Sequence, residues 1–197
     1  MLNDRKMLGE IINDDIYKMV SVNRFSTRNR LHEENIAAHT FFVGYLARIM
    51  GGMCDLDNGE MATLLKMCLV HDVPESILGD IIAPVKDSIP EFAHAYEKME
   101  LKVMEENYPE LKMDFDIMRL EEEQDTLVFK IFKLADMLSV VLYCEEEFRL
   151  GSRSEEMQYI YSRMVNRCKK RWDEIKDICD KEKKAKKPIN IKNIMSK

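Results

Sequence analysis

Residues 121–150 contain neither glycine nor proline, and Leu127, Ile131, Leu134, Leu138 and Leu142 recur through them near helical spacing. A strand would alternate its faces every second residue, so this period predicts one long helix ending at Gly151. The rest of the chain has the same character. Seven Gly and five Pro in 197 residues leave little punctuation for a many-stranded sheet, and charge-rich, Met- and Leu-containing stretches fill the space. The expected fold class is all-α.

Helical spacing returns over residues 4–20, where Leu8, Ile11, Ile12, Ile16 and Met19 recur. The segment SVNRFSTRNRLHEEN breaks it, with Ser, Thr and Asn clustered as in a loop. A helix then starts near Asn35 and runs to Gly51, where the paired glycines should stop it. Asp57 or Asn58 can cap the next helix, which Pro74 interrupts. PESILGDIIAPVK reads as irregular or as a short helix with a turn, and residues 90–107 read as helix again. Ser152 or Ser154 can open a last helix over about 155–182, followed by a basic tail. With no repeat or linker in view, residues 1–197 should form a single domain of roughly six to eight helices.

The net charge of −6 argues against general nucleic-acid binding, although a few local cations or a metal can still hold a small anion. The basic run 181–187 reads as a solvated helix end. Five cysteines, an odd number without CxxC spacing, speak against a disulfide framework and a thiolate zinc site; they read as small buried residues. No stretch approaches a membrane span and the N-terminus lacks a signal-peptide core, so a cytoplasmic protein is expected.

Only four histidines occur. His39 lies within an apolar helix, His71 closes the apolar run MCLV, and Asp72 follows it directly. Asp136 is a second acid inside an apolar helix, KIFKLADMLSVVLY. Each is ordinary alone. Charged groups on apolar faces are unfavourable without compensation, and one divalent cation compensates all four at once. Nitrogen and oxygen donors suit Mn, Co, Fe, Ni, Zn or Mg.

In order and helical context, His39, His71-Asp72 and Asp136 resemble the H…HD…D signature of the HD-domain phosphohydrolases. The likeness is greater to the YfbR-like bacterial 5'-deoxynucleotidases over about residues 10–150. An NRW-type loop corresponds to Asn23-Arg24-Phe25, and an ExxxxHS-like helix start corresponds to residues 34–40. HDxxExxxGDxxxPxK corresponds to residues 71–86, and KxAD to residues 133–136. The resemblance implies one metal on His39, His71, Asp72 and Asp136. It implies catalytic roles for Asp72, for Arg24 on the substrate phosphate, and for Glu75 as the acid/base beside the attacking water. The substrate contacts it implies are Arg24, Phe25, His39, Asp72, Asp80, Ile81, Ile82 and Ala83.

The implied reaction removes the 5'-phosphate from a (deoxy)nucleoside monophosphate, with a small nucleotide as partner and a homodimer as assembly. Action on a cyclic or signalling nucleotide, or nucleotide binding without turnover, are the alternatives. The chain departs from the family pattern at Phe25 for Trp, Ala38 for an acid and Ile82 for Pro, which bears on substrate choice. Glu121 is a further candidate acid near the site, His32 could brush the phosphate, and His94 is the one candidate ligand for a second metal.

Overall fold

The computed structural model describes residues 14–81 and 89–185. Among them are a 3-10 helix, Asp14–Val20, and seven α-helices. These are α1 (Ile36–Met53), α2 (Asn58–Val70), α3 (Glu75–Leu78), α4 (Pro90–Asn107), α5 (Lys112–Glu123), α6 (Leu127–Arg149) and α7 (Glu155–Ala185). The fold is the all-α HD-domain fold that the sequence led us to expect. The first part of the expected helix 4–20 lies outside the described residues, as do Ile82, Ala83 and Lys86.

Helix α6 is the axis of the molecule, packed against α1, α2, α5 and α7. Its buried residues occupy every side, from Val128, Phe129 and Ile131 to Val141 and Cys144, as a helix enclosed by others requires. Helix α7 covers it with a stripe in which Met157, Cys168, Ile175 and Cys179 are buried and Met164 and Trp172 half-buried. All five cysteines are buried, serving as small core residues. A second apolar cluster joins Met19, Ile36, Val70, Val73, Met104, Tyr108 and Phe115. His39, His71 and Asp136 belong to the helices or helix ends at the seam between these clusters.

Two expected boundaries differ. Residues 121–150 are not one helix: α5 ends at Glu123 and α6 begins at Leu127. Thr126 caps α6 by accepting from the Phe129 N–H at 3.1 Å, and Asp125 takes a left-handed φ of 48°. A side-chain cap with a residue at positive φ before it redirects the chain despite unbroken apolar spacing. The glycine pair does not stop α1 either, since the helix runs through to Met53. A Cβ on Gly51 would lie 2.7 Å from Met61 Cε, so this glycine admits α2 rather than ending α1. Asp57 caps α2 in a reciprocal capping box with Glu60, and Asn35 caps α1.

Candidate active site

His39 occupies the first turn of α1 and is almost fully buried. His71 is the C-cap of α2, and the chain turns there so that Asp72 follows on the same side. Asp136 comes from the middle of α6. Around His39 Nε2 lie His71 Nε2 at 3.3 Å, Asp72 Oδ2 at 3.4 Å and Asp136 Oδ1 at 3.4 Å. His71 Nε2 lies 3.2 Å from Asp72 Oδ2. Ligands about 2.0–2.3 Å from one ion stand roughly 3–4 Å from one another, so this donor set could hold a divalent cation without rearranging the backbone. Donor atoms of His39, His71 and Asp72 all fall within 4.8 Å of each other.

The electrostatics favour the ligating forms of His39, Asp72 and Asp136, and oppose that of His71. Burial, reinforced by Arg24, holds the His39 imidazole below its usual range. Burial would raise Asp72, but His71, by charge and hydrogen bond, together with His39 and Arg24, holds it well below the carboxylate range. Asp136 is likewise held low against its burial, chiefly by Lys133, whose Nζ donates to Oδ2 at 2.7 Å, and by His39. For His71, burial is outweighed by Asp72, and its pKa is raised. Its Nδ1 lies 2.8 Å from the Cys68 carbonyl, which can only accept, so Nδ1 carries the proton and Nε2 faces the cavity.

A cavity of about 310 Å³ opens over this cluster. Arg24, His39, His71, Asp72, Glu75, Asp80, Ile81 and Asp136 line it, so most expected site residues converge. Glu75 is buried and opens the one-turn helix α3, whose C-cap Gly79 takes a φ of 78°. Asp80 accepts from the Phe25 N–H at 3.2 Å and ties the two walls together. Phe25 is not among the lining residues. Its ring stacks on Tyr143, centroids 4.5 Å apart, and its φ is 55°.

Arg24 donates to Glu34 at 2.9 Å and lies 2.5 Å from His39 Nδ1. Against its burial, the combined charges of Glu34, Asp72, Asp136 and Glu75 raise its pKa, so it remains a cation at the cavity edge. The loop carrying it is closed at its base, with Arg24 N–H to Glu34 O at 2.8 Å and Ile36 N–H to Val22 O at 3.0 Å.

The other sequence candidates fare less well. His32 Nδ1 lies 2.9 Å from the fully buried Glu147 carboxylate, and His94 is exposed on α4 outside the cavity lining. Glu121 accepts from Thr126 Oγ1, while its neighbour Glu122 lines the cavity instead. Sequence reasoning missed Glu122, Met118, Phe129, Phe132 and Lys133 as lining residues. Lys133 alone carried a signal, since it precedes Asp136 by three residues and so shares its helical face.

The YfbR-like 5'-deoxynucleotidase family model matches residues 14–179. A 5'-deoxynucleotidase of Yersinia pestis (strain Pestoides F) is 32% identical over 144 residues, covering 66% of this chain and 70% of the relative. A 5'-deoxynucleotidase of Yersinia pseudotuberculosis (strain YPIII) matches to the same extent. Among solved structures, the HD phosphohydrolase of cyanophage S-2L, bound to dA and one catalytic Zn2+ ion, superposes with a TM-score of 0.64 at 17% identity, covering 87% of this chain and 95% of that one. An HD-domain phosphohydrolase of Listeria innocua does so with a TM-score of 0.64 at 20% identity, covering 77% and 75%. A family match across this span, on a chain whose H…HD…D residues gather around His39, identifies it: the chain belongs to the YfbR-like 5'-deoxynucleotidase family and is a nucleotide phosphohydrolase.

Proposed function

We propose that the chain hydrolyses (deoxy)nucleoside 5'-monophosphates with one divalent cation held by His39, His71, Asp72 and Asp136. The observation that carries this reading is the approach of His71, Asp72 and Asp136 to His39 Nε2 beneath a cavity that Arg24 and Glu75 also line. Two imidazoles and two carboxylates at this spacing fit Mn, Co, Fe, Ni, Zn or Mg. When bound, the cation polarises the phosphoryl group and lowers the pKa of water at the site.

The chain's own residues supply the rest. Arg24, its guanidinium oriented by Glu34, engages the phosphate oxygens, which a planar cation does with two parallel donors. Glu75 sits one turn beyond Asp72 and holds or passes the proton of the attacking water. Asp80 and Ile81 face the nucleoside from the opposite wall, with Ile82 and Ala83 following in the chain. Phe25, stacked on Tyr143, acts by shaping the loop around Arg24. All seven described α-helices serve one HD domain.

A homodimer is supported by Phe41, Tyr45, Ile49 and Met53, which recur every four residues on the outer face of α1 and are all exposed. A cytoplasmic setting fits five buried cysteines that form no disulfide.

The test is phosphate release by purified protein, loaded in turn with Mn, Co, Zn and Mg, from dNMPs, NMPs, cyclic nucleotides and nucleoside diphosphates. Release from dNMPs in at least one metal is expected. Turnover confined to cyclic nucleotides would replace the substrate assignment, and tight nucleotide binding without release in any metal would refute the enzymatic one.

A further inference from the structure

The motif that contributes Asp136 ends there, yet one turn further along α6 lies a polar side chain that no motif includes. Ser139 is almost completely buried. Its Oγ donates to the Asp136 carbonyl at 2.7 Å and lies 2.9 Å from His39 Nδ1. A hydroxyl has one proton and two lone pairs. In a helix, a serine hydroxyl readily gives its proton to a carbonyl three or four residues back. What Ser139 then offers His39 is a lone pair.

We propose that Ser139 is the positioning residue for His39: its hydroxyl accepts the Nδ1–H of that imidazole and leaves the Nε2 lone pair facing the cavity, ready for a divalent cation. The inference deepens the metal reading above and rests on it. The same turn of α6 would therefore supply one ligand, Asp136, and select the ligating tautomer of another.

His71 reaches the same state differently, through the Cys68 carbonyl. That acceptor is backbone and survives any side-chain substitution; the acceptor for His39 does not.

Arg24 makes the choice consequential. Its Nη1 lies 2.5 Å from the same His39 Nδ1. A guanidinium only donates, so it cannot share that nitrogen with a proton. His39 therefore has two exclusive arrangements: Nδ1 accepts from Arg24 with Nε2–H toward the cavity, or Nδ1–H donates to Ser139 with Nε2 open. A cation on Nε2 selects the second. Arg24 then leaves the ring, still tethered by Glu34, and is free to meet a phosphate. Metal loading and phosphate binding are coupled through one imidazole.

The experiment measures zinc binding calorimetrically to metal-free wild type, Ser139→Ala and Ser139→Thr, with the melting temperature of each metal-free protein. Long-range 1H–15N spectra read the histidine tautomers in the metal-free and zinc-loaded states. The expected result is a zinc affinity about 10- to 100-fold weaker for Ser139→Ala, the usual loss when a ligand's supporting partner is removed. Its metal-free melting temperature stays near that of wild type, and Ser139→Thr, which keeps the hydroxyl, recovers most of the affinity. Zinc-loaded wild type should carry His39 with its proton on Nδ1. Ser139→Ala binding zinc as tightly as wild type overturns the proposal. So does zinc-loaded wild type with the proton on Nε2, a result needing no variant to fold. Wild type that binds no zinc, manganese or cobalt at all would overturn the metal site itself.

Discussion

The two halves of the active site are held by different means. The half proposed to hold the metal, His39, His71, Asp72 and Asp136, is carried by helices or helix ends whose neighbours are core residues such as Val43, Met67, Val70 and Ala135. The half proposed to meet the phosphate, Arg24 on its loop, belongs to no helix and is positioned by long-range side-chain contacts. The buried Glu147 carboxylate accepts from the backbone N–H groups of Leu31 and His32, each at 2.9 Å, and from His32 Nδ1. Tyr143 donates to the His32 carbonyl at 3.1 Å and stacks on Phe25. Arg30 donates to the Arg24 carbonyl at 2.7 Å, and Asp80 holds the Phe25 N–H. The metal half thus depends on the global fold, whereas the phosphate half can fail alone. Substitutions should separate the two.

The largest effect is expected on the metal side. Asp72→Ala removes a proposed cation ligand and leaves His71 without its charge partner. Transition-state charge stabilisation worth several kcal/mol corresponds to a loss of about 10³-fold or more in kcat/KM. Metal content measured on the same preparation should fall in parallel; full activity in Asp72→Ala would contradict the assignment.

Arg24→Ala should reduce kcat/KM by roughly 10²-fold, as expected for a lost charge-assisted phosphate contact. The cation should still bind. Parallel loss of metal would mean that the two halves are not separable.

Glu147→Ala tests the latch itself. It strips the acceptor from two backbone N–H groups and a histidine, at a cost of about 1–3 kcal/mol per buried group left unsatisfied. Chemical denaturation should register that loss. At temperatures where the variant is folded, kcat/KM should drop about tenfold with zinc affinity unchanged, because no metal ligand touches Glu147.

A smaller and graded effect is expected from pH. The metal-free pKa of His71 is raised, so as pH falls through that value a proton increasingly occupies the site a cation needs. Metal affinity should therefore weaken toward acid pH, and binding at neutral pH should release protons. Calorimetry in buffers of different ionisation enthalpy reads that release; an uptake of protons would reverse the sign assigned to His71.

Phe25→Gly should matter least. Glycine relieves a φ of 55°, while the stacking partner of Tyr143 disappears. These terms are each about 1 kcal/mol and opposed, so denaturation should show little net change.

The same contrast explains what could be read in advance. His39, His71, Asp72 and Asp136, each ordinary alone, stood out in combination because two imidazoles and two carboxylates recur on apolar helices in one signature order. The break at Asp125 did not, because an unbroken apolar period hides a capped turn. Gly51 looked like a helix stop because the close approach of Met61 and Leu64 exists only once α1 and α2 have packed. Glu122 was indistinguishable from its neighbours in an acidic run, and the stacking of Phe25 on Tyr143, far along the chain, left no local trace.

By itself, the sequence determined the all-α class, the helices that carry the four donors, and the family. Periodicity, capping residues and misplaced charges are local properties, and local properties are written in local sequence. Only the tertiary structure decided that His71, Asp72 and Asp136 gather around His39, that Glu147 and Tyr143 tether the Arg24 loop, and that Ser139 and Arg24 both approach one nitrogen of His39. Those relations join residues up to a hundred or more positions apart, and they come into being only when the core brings α1 and α6 together.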